Sequence, residues 1–210
     1  MNNLITLSCE EFLTELASAA PAPGGGGGAA MAGALAAALS SMVANLTIGK
    51  EKFAANEAKV QELLTQAEAA RTRLLELMAE DAEVFNSFMA CYKLPKDTEE
   101  QKDTRTAAIR SAAKQAAAVP LAIATAAFAV LECSVQLAEL GNPGVITDAA
   151  CSGLLARAAL RCADYNVRIN LKLTKDEDFN AQATAKLNCM LEHSPELEKK
   201  LLLLTDKALA

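Results

Sequence analysis

The chain has 210 residues, enough for one domain with a sizeable core. Alanine carries much of its 52% hydrophobic content, tryptophan is absent and β-branched residues are sparse, which favours helix throughout. A formal net charge of −6 without a basic tail excludes non-specific binding to nucleic acid.

Ser8-Cys9-Glu10-Glu11 forms a capping box that predicts a short helix to about Ala19, stopped by Pro21 and Pro23. Five glycines, Gly24 to Gly28, come next. Such a run lets backbone approach a neighbour closely and leaves the unpartnered N–H groups of a helix start open to an anionic or carbonyl-bearing ligand. It serves equally as a loose entry loop that lets two helices pack.

From Ala29 to Leu46 there is no charge, so a membrane span has to be weighed. The segment is mostly alanine, holds Ser40, Ser41 and Asn45, and follows an acidic helix rather than a basic flank. It is read as a core helix from about Gly27 to Thr47, with neither a membrane partner nor a signal peptide. Gly33, Ala37 and Ser41 recur every four positions and allow another helix close approach.

A long helix is expected from about Lys52 to Tyr92, ended by Pro95. Its inward row is Val60, Leu64, Ala67, Leu74, Met78, Phe85 and Phe88, and Asp81 falls within that row. A buried carboxylate has a raised pKa and suits acid–base work near neutrality; a slightly rotated face would leave Asp81 solvated beside Glu80 and Glu83.

Asp97-Thr98-Glu99-Glu100 starts another helix, with Pro120 predicting a kink and Leu140-Gly141-Asn142-Pro143-Gly144 a stop. Thr147 and Asp148 place side-chain oxygens at the next helix start, running to about Thr174. Its apolar stripe reads Cys151, Leu154, Leu155, Ala158, Cys162, Tyr165, Ile169 and Leu173. Asn166 and Asn170 lie along its edge, where they either hold an amide-rich heterocycle or cross-link helices. Arg157, Arg161, Arg168 and Lys172 share another face with Asp164, as solvated ion pairs or as an attraction for an acidic ligand tail. Asp176 opens the next helix, and Ser194-Pro195-Glu196 opens the last. The expected fold is all-α, a bundle of long, mostly antiparallel helices in a single domain spanning 1–210.

The six cysteines form no C-x-x-C pair and read as small buried hydrophobes in a reducing, cytoplasmic compartment. With one histidine, His193, no metal site is expected. The glycine run is not followed by G-K-[ST], so it is no nucleotide loop. No Ser/His/Asp or Cys/His constellation supports nucleophilic catalysis.

Three segments taken together resemble one family. They are Pro21-Ala-Pro-Gly-Gly-Gly26 leading into Ala-Gly-Ala-Leu35 and Met42-Val-Ala-Asn-Leu-Thr47 with Gly49-Lys50; Lys93-Leu-Pro-Lys96; and Gly141-Asn142, Thr147-Asp148-Ala149 and Asn166-Val-Arg-Ile-Asn170. They resemble, in order and over nearly the whole chain, the formiminotetrahydrofolate cyclodeaminase and methenyltetrahydrofolate cyclohydrolase family. The resemblance implies an all-helical homodimer with a folate site near the subunit interface. Its substrate is a tetrahydrofolate derivative, with or without a lengthened glutamate chain, and no metal or redox cofactor is needed.

Carried over by position, Asp81 or Asp148 is the proton-transfer group with Lys50 in support. Gly24, Gly25, Gly26, Asn45, Asn142, Asn166 and Asn170 bind substrate. Two reactions fit: 5-formimino-tetrahydrofolate closing to 5,10-methenyl-tetrahydrofolate with loss of ammonia, and hydrolysis of the latter to 10-formyl-tetrahydrofolate. Gly27 departs from the family's serine, which would cap the core helix; Thr147 keeps the hydroxyl of the family's other serine. The competing reading is a non-catalytic helical assembly or folate-binding protein.

Overall fold

The computed structural model describes residues 4–210. Its helices are α1 (Cys9–Leu16), α2 (Gly25–Asn45), α3 (Glu57–Cys91), α4 (Glu99–Leu140), α5 (Ile146–Thr174) and α6 (Glu177–Leu209), with short 3₁₀ turns at Leu4–Thr6, Glu51–Asn56 and Pro143–Val145. No strand occurs among the described residues.

Three of the expected helix starts are capped as their sequences dictate. Glu11 N donates to Ser8 Oγ at 3.2 Å and Ser8 N to Glu11 Oε2 at 2.7 Å. Thr98 and Gln101 make the same reciprocal pair, and Asp176 Oδ1 accepts from Phe179 N at 2.9 Å. Other boundaries differ. α2 begins at Gly25, earlier than expected, with Gly24 as its cap. Residue 27 therefore sits inside the first turn, where a serine would not be the N-cap. α5 starts at Ile146 without a side-chain cap, and Thr147 and Asp148 lie in its first turn.

Neither internal proline breaks its helix. Proline lacks the N–H that would bond the carbonyl four residues back. For Pro120 that carbonyl is Ala116 O, which accepts from Asn170 Nδ2 of α5 at 2.6 Å. For Pro195 it is Leu191 O, which accepts from Ser194 Oγ at 3.2 Å. The two helices expected at the C-terminal end are consequently one, α6.

Close helix approach organises the core. α2 packs antiparallel on both α3 and α5, with α4 beneath and α6 against α4 and α5. Ala30, Gly33, Ala37, Ser40 and Ala44 form the buried side of α2. Ser152 Oγ donates to Ala36 O at 2.7 Å and meets Ser40 Oγ at 2.8 Å, stitching α5 to α2.

The face expected to be buried on α5 is the exposed one. Small residues (Ala149, Ser152, Gly153, Ala156, Ala159 and Ala163) point inward, whereas Leu154, Tyr165, Ile169 and Leu173 are exposed. α2 repeats the pattern, with Leu35 52% and Met42 45% exposed. Packing at close range selects small residues, so the larger apolar side chains mark the outer face. The cysteines are corrected likewise: Cys133 alone is buried, Cys91 is half-buried, and Cys9, Cys151, Cys162 and Cys189 are exposed. α2 and α4 are long and apolar enough to cross a membrane, yet more than half of each apolar stretch is buried within the bundle.

Candidate functional site

Antiparallel pairing of α3 on α2 brings Asp81 over the first turn of α2. Its carboxylate accepts a hydrogen bond from the Gly27 N–H. A Cβ on Gly26 would lie 2.3 Å from Asp81 Oδ1 and 2.5 Å from Oδ2. Only glycine leaves room for that approach, which gives the centre of the glycine run a steric reason. The N-terminal end of a helix favours a negative charge. Burial nevertheless dominates and pushes the Asp81 carboxyl above its usual range, with the Gly27 hydrogen bond opposing part of that rise.

A cleft of about 140 Å³ opens beside this carboxylate. Pro21 and Gly24–Gly26 form one wall, Val84 and Phe85 of α3 another, and Ala116 of α4 with Asn166, Ile169 and Asn170 of α5 the rest. Gly25 N–H and Gly26 N–H belong to the helix start and have no intrahelical acceptor. Asn166 Nδ2 donates to Cys162 O at 2.9 Å, and Asn170 Nδ2 divides between Ala116 O and Asn166 O. Asn170 thus cross-links α5 to α4 and also lines the cleft. Among the described residues no Lys or Arg lines it.

The other proposed site residues gather elsewhere. Asn142 Nδ2 donates to Leu46 O at 3.1 Å, and Thr47 Oγ1 accepts from Asn142 N at 2.9 Å, fastening the α4–α5 turn to the end of α2. Exposed Asn45 closes α2, and exposed Lys50 follows Gly49, whose φ of 75° suits glycine. Asp148 precedes Ala149, which packs with Val43 and Ala44. This second group stands a full helix length from Asp81: 21 residues of α2, about 30 Å at ~1.5 Å per residue.

The basic row on α5 is largely spoken for. Arg157 Nε lies 3.4 Å from Glu198 Oε2 of α6. Arg161 and Arg168 both face the buried Asp164, at 3.6 and 2.9 Å, and both stack on the Tyr165 ring. Asp164, taken from the sequence as a solvated ion-pair partner, is 1% exposed.

Sequence reasoning missed Val84, Phe85, Ala116 and Ile169 as cleft walls. Phe85 and Ile169 were assigned to core stripes. The signal for Ala116 was Pro120, four residues on, which guarantees a free carbonyl at that point.

This carboxylate-on-glycine cleft lies within a matched family domain. A sequence profile described as formiminotransferase-cyclodeaminase matches residues 8–189. The chain belongs to that family. It is similar to a methenyltetrahydrofolate cyclohydrolase of Methylorubrum extorquens, at 43% identity over 91% of this chain and 92% of that one. It is also similar to the formimidoyltransferase-cyclodeaminase of Sus scrofa, at 36% identity over 87% of this chain but 34% of that longer protein. The crystal structure of formiminotetrahydrofolate cyclodeaminase from Thermotoga maritima superposes with a TM-score of 0.87, at 28% identity and covering 98% of both chains. This chain shares the helical bundle of that cyclodeaminase, and in it Asp81 sits on the start of α2.

Proposed function

We propose that this protein is a folate one-carbon enzyme whose main reaction is hydrolysis of 5,10-methenyl-tetrahydrofolate to 10-formyl-tetrahydrofolate. The observation that carries this reading is Asp81, held in a small cleft on the glycine start of α2 with its pKa raised by burial. The Methylorubrum relative, matched over nearly its full length, supports hydrolysis as the main reaction.

The substrate's one-carbon bridge is a delocalised cation between two nitrogens, and an ionised carboxylate stabilises charge of that sign. Asp81 takes a proton from water as the water oxygen bonds to the bridge carbon. Collapse of the tetrahedral carbon forms the carbonyl and breaks its bond to N5, which receives a proton from Asp81. The carbinol proton leaves to solvent, so one water enters and one proton is released. The free Gly25 and Gly26 N–H groups and the Asn166 and Asn170 amides supply polar contacts for the pterin edge.

Cyclodeamination is the second reading, favoured by the Thermotoga neighbour. It uses the same tetrahedral carbon, with N10 as the attacking group and ammonia as the leaving group.

Lys50, Asn45, Asn142 and Asp148 enter this scheme through a second copy of the chain. No small substrate spans the length of α2, but a two-fold pairing that sets α2 antiparallel to its counterpart puts the end of one α2 beside the start of the other. The exposed apolar rows Leu35, Met42, Leu46 and Leu154, Tyr165, Ile169 give that pairing its surface. Each site then combines Asp81 of one copy with Lys50 of the other. The direct test follows loss of methenyl-tetrahydrofolate and release of ammonia from formimino-tetrahydrofolate on one purified sample. Turnover of the first supports hydrolysis; activity on neither contradicts the assignment.

A further inference from the structure

We infer that Pro120, buried in α4 and outside the cleft lining, is a positioning residue for substrate binding: the carbonyl it leaves free holds the Asn170 amide with its oxygen, and not its nitrogen, open to the substrate; this rests on the folate reading above.

Proline is the least favourable residue for a helix interior. The carbonyl four residues before it loses its helical donor and needs another. At Pro195 that need is met locally, Ser194 Oγ donating to Leu191 O. At Pro120 it is met from a different helix. Asn170 of α5, 54 positions from Ala116, donates Nδ2–H to Ala116 O at 2.6 Å. Ala116 and Asn170 both line the cleft, so this repair of α4 is made in the wall of the site.

An amide side chain carries two N–H donors and one carbonyl oxygen. Both Asn170 donors are engaged by main-chain carbonyls, Ala116 O and, at 2.9 Å, Asn166 O. Two carbonyls accept only from N–H, which fixes which end of the amide is which. Among the described residues no group donates to Asn170 Oδ1. The oxygen is therefore the atom that half-buried Asn170 offers the cleft. A residue with an N–H at position 120 would draw Ala116 O back into the helix ladder. One Asn170 N–H would then be released, and the amide would keep a single local anchor about a torsion that is broad and roughly two-fold.

The direction of the amide matters because the opposite wall is made of donors, the Gly25 and Gly26 N–H groups. A pterin edge carries amino and ring N–H donors beside a carbonyl oxygen. It fits between a donor wall and an acceptor wall in one orientation. A free N–H at Asn170 would face the substrate's own donors, and unpaired donors in a cleft weaken binding.

The test compares Pro120→Ala, Asn170→Ala and the double variant, with Pro195→Ala as control, using 5,10-methenyl-tetrahydrofolate. Pro120→Ala should raise KM about tenfold, with kcat kept within about twofold. Asn170→Ala should raise KM at least as far, and adding Pro120→Ala to it should change nothing more. Pro195→Ala should keep the wild-type KM. A wild-type KM in Pro120→Ala, or effects that multiply in the double variant, overturns the assignment. Exchange of the Asn170 side-chain amide protons is followed by NMR, their signals assigned by loss in Asn170→Ala. In the wild type they should exchange about tenfold more slowly than those of exposed Asn188, and Pro120→Ala should remove most of that protection. Equal exchange at Asn170 and Asn188 in the wild type overturns the positioning, even if Pro120→Ala fails to fold. If the wild type turns over no folate, protection that is lost in Pro120→Ala upholds the positioning while the folate reading falls.

Discussion

The two ends of α2 are built to opposite rules. At its start the chain has no side chains at all, and α3 supplies a carboxylate to backbone that glycine has stripped bare. At its far end the backbone is tied down by side chains, Thr47 and Asn142 closing the last turn on the α4–α5 connection, and Asn45 and Lys50 are left exposed. The first end is a preorganised, desolvated cleft. The second leaves its polar side chains, Asn45 and Lys50, on an exposed surface. In the proposed reading, a site that uses both chemistries is completed by another copy.

The contrast is broken most severely at the first end. Asp81→Asn should reduce turnover by about 10²–10⁴-fold, while thermal unfolding shows no loss of stability. The sign is set by burial. Because the folded-state pKa is raised, the stability Asp81 permits is fully present at low pH and falls as pH climbs from the ordinary carboxylate range through the raised value. The asparagine variant lacks that fall and above the window should be at least as stable as wild type. Its pH–rate profile should also lose the acid limb that Asp81 imposes.

Gly26→Ala comes next. The added Cβ drives the Asp81 carboxyl from its seat, so activity should collapse and stability fall by about 1–3 kcal/mol. Gly28→Ala, two positions on, meets only Leu16 Cδ2 at 4.0 Å and should gain about 0.5–1 kcal/mol in helix stability with activity kept. Equal behaviour of these two variants would show that the glycine run is only an entry loop. Gly27→Ser, restoring the family residue, places a Cβ 3.3 Å from Pro23 Cβ and should be nearly neutral in stability, since position 27 is not the helix cap.

At the second end the effects are smaller. Lys50→Met should lower turnover roughly tenfold or more without a change in melting temperature, because Lys50 is exposed and packs nothing. Asn142→Ala should cost about 1 kcal/mol through its bond to Leu46 O.

Much of this was legible in the residues, and the failures have physical causes. Most of the inward row on α3 stands: Val60, Ala67, Leu74, Met78 and Phe88 are buried, Leu64 and Phe85 are half-buried, and Asp81 is half-buried within their line. The capping box at Ser8 also formed where its spacing placed it, and the helix expected after Asp97 starts at Glu99, with a Thr98–Gln101 box that was not among the expected motifs. The α5 stripe was inverted because periodicity was weighted by side-chain size, whereas close packing on α2 and α4 rewards Ala, Gly and Ser. The new helix expected to open at Ser194-Pro195 did not form, and α6 runs through Pro195 as α4 runs through Pro120, with Ser194 and Asn170 satisfying the freed carbonyls. For Asn170 that partner is distant in sequence and visible only once α5 lies on α4. The separation of Asp81 from Lys50 was hidden for a related reason: sequence order does not reveal that they occupy opposite ends of one helix.

Complementation between two impaired variants tests the shared site most directly. Asp81→Asn and Lys50→Met proteins are purified separately, mixed in equal amounts under conditions that exchange subunits, and assayed with methenyl-tetrahydrofolate. If each site takes Asp81 from one copy and Lys50 from the other, half the dimers carry one intact site of two, and activity recovers to roughly a quarter of wild type. Activity that stays at the level of the separate variants would contradict the shared site.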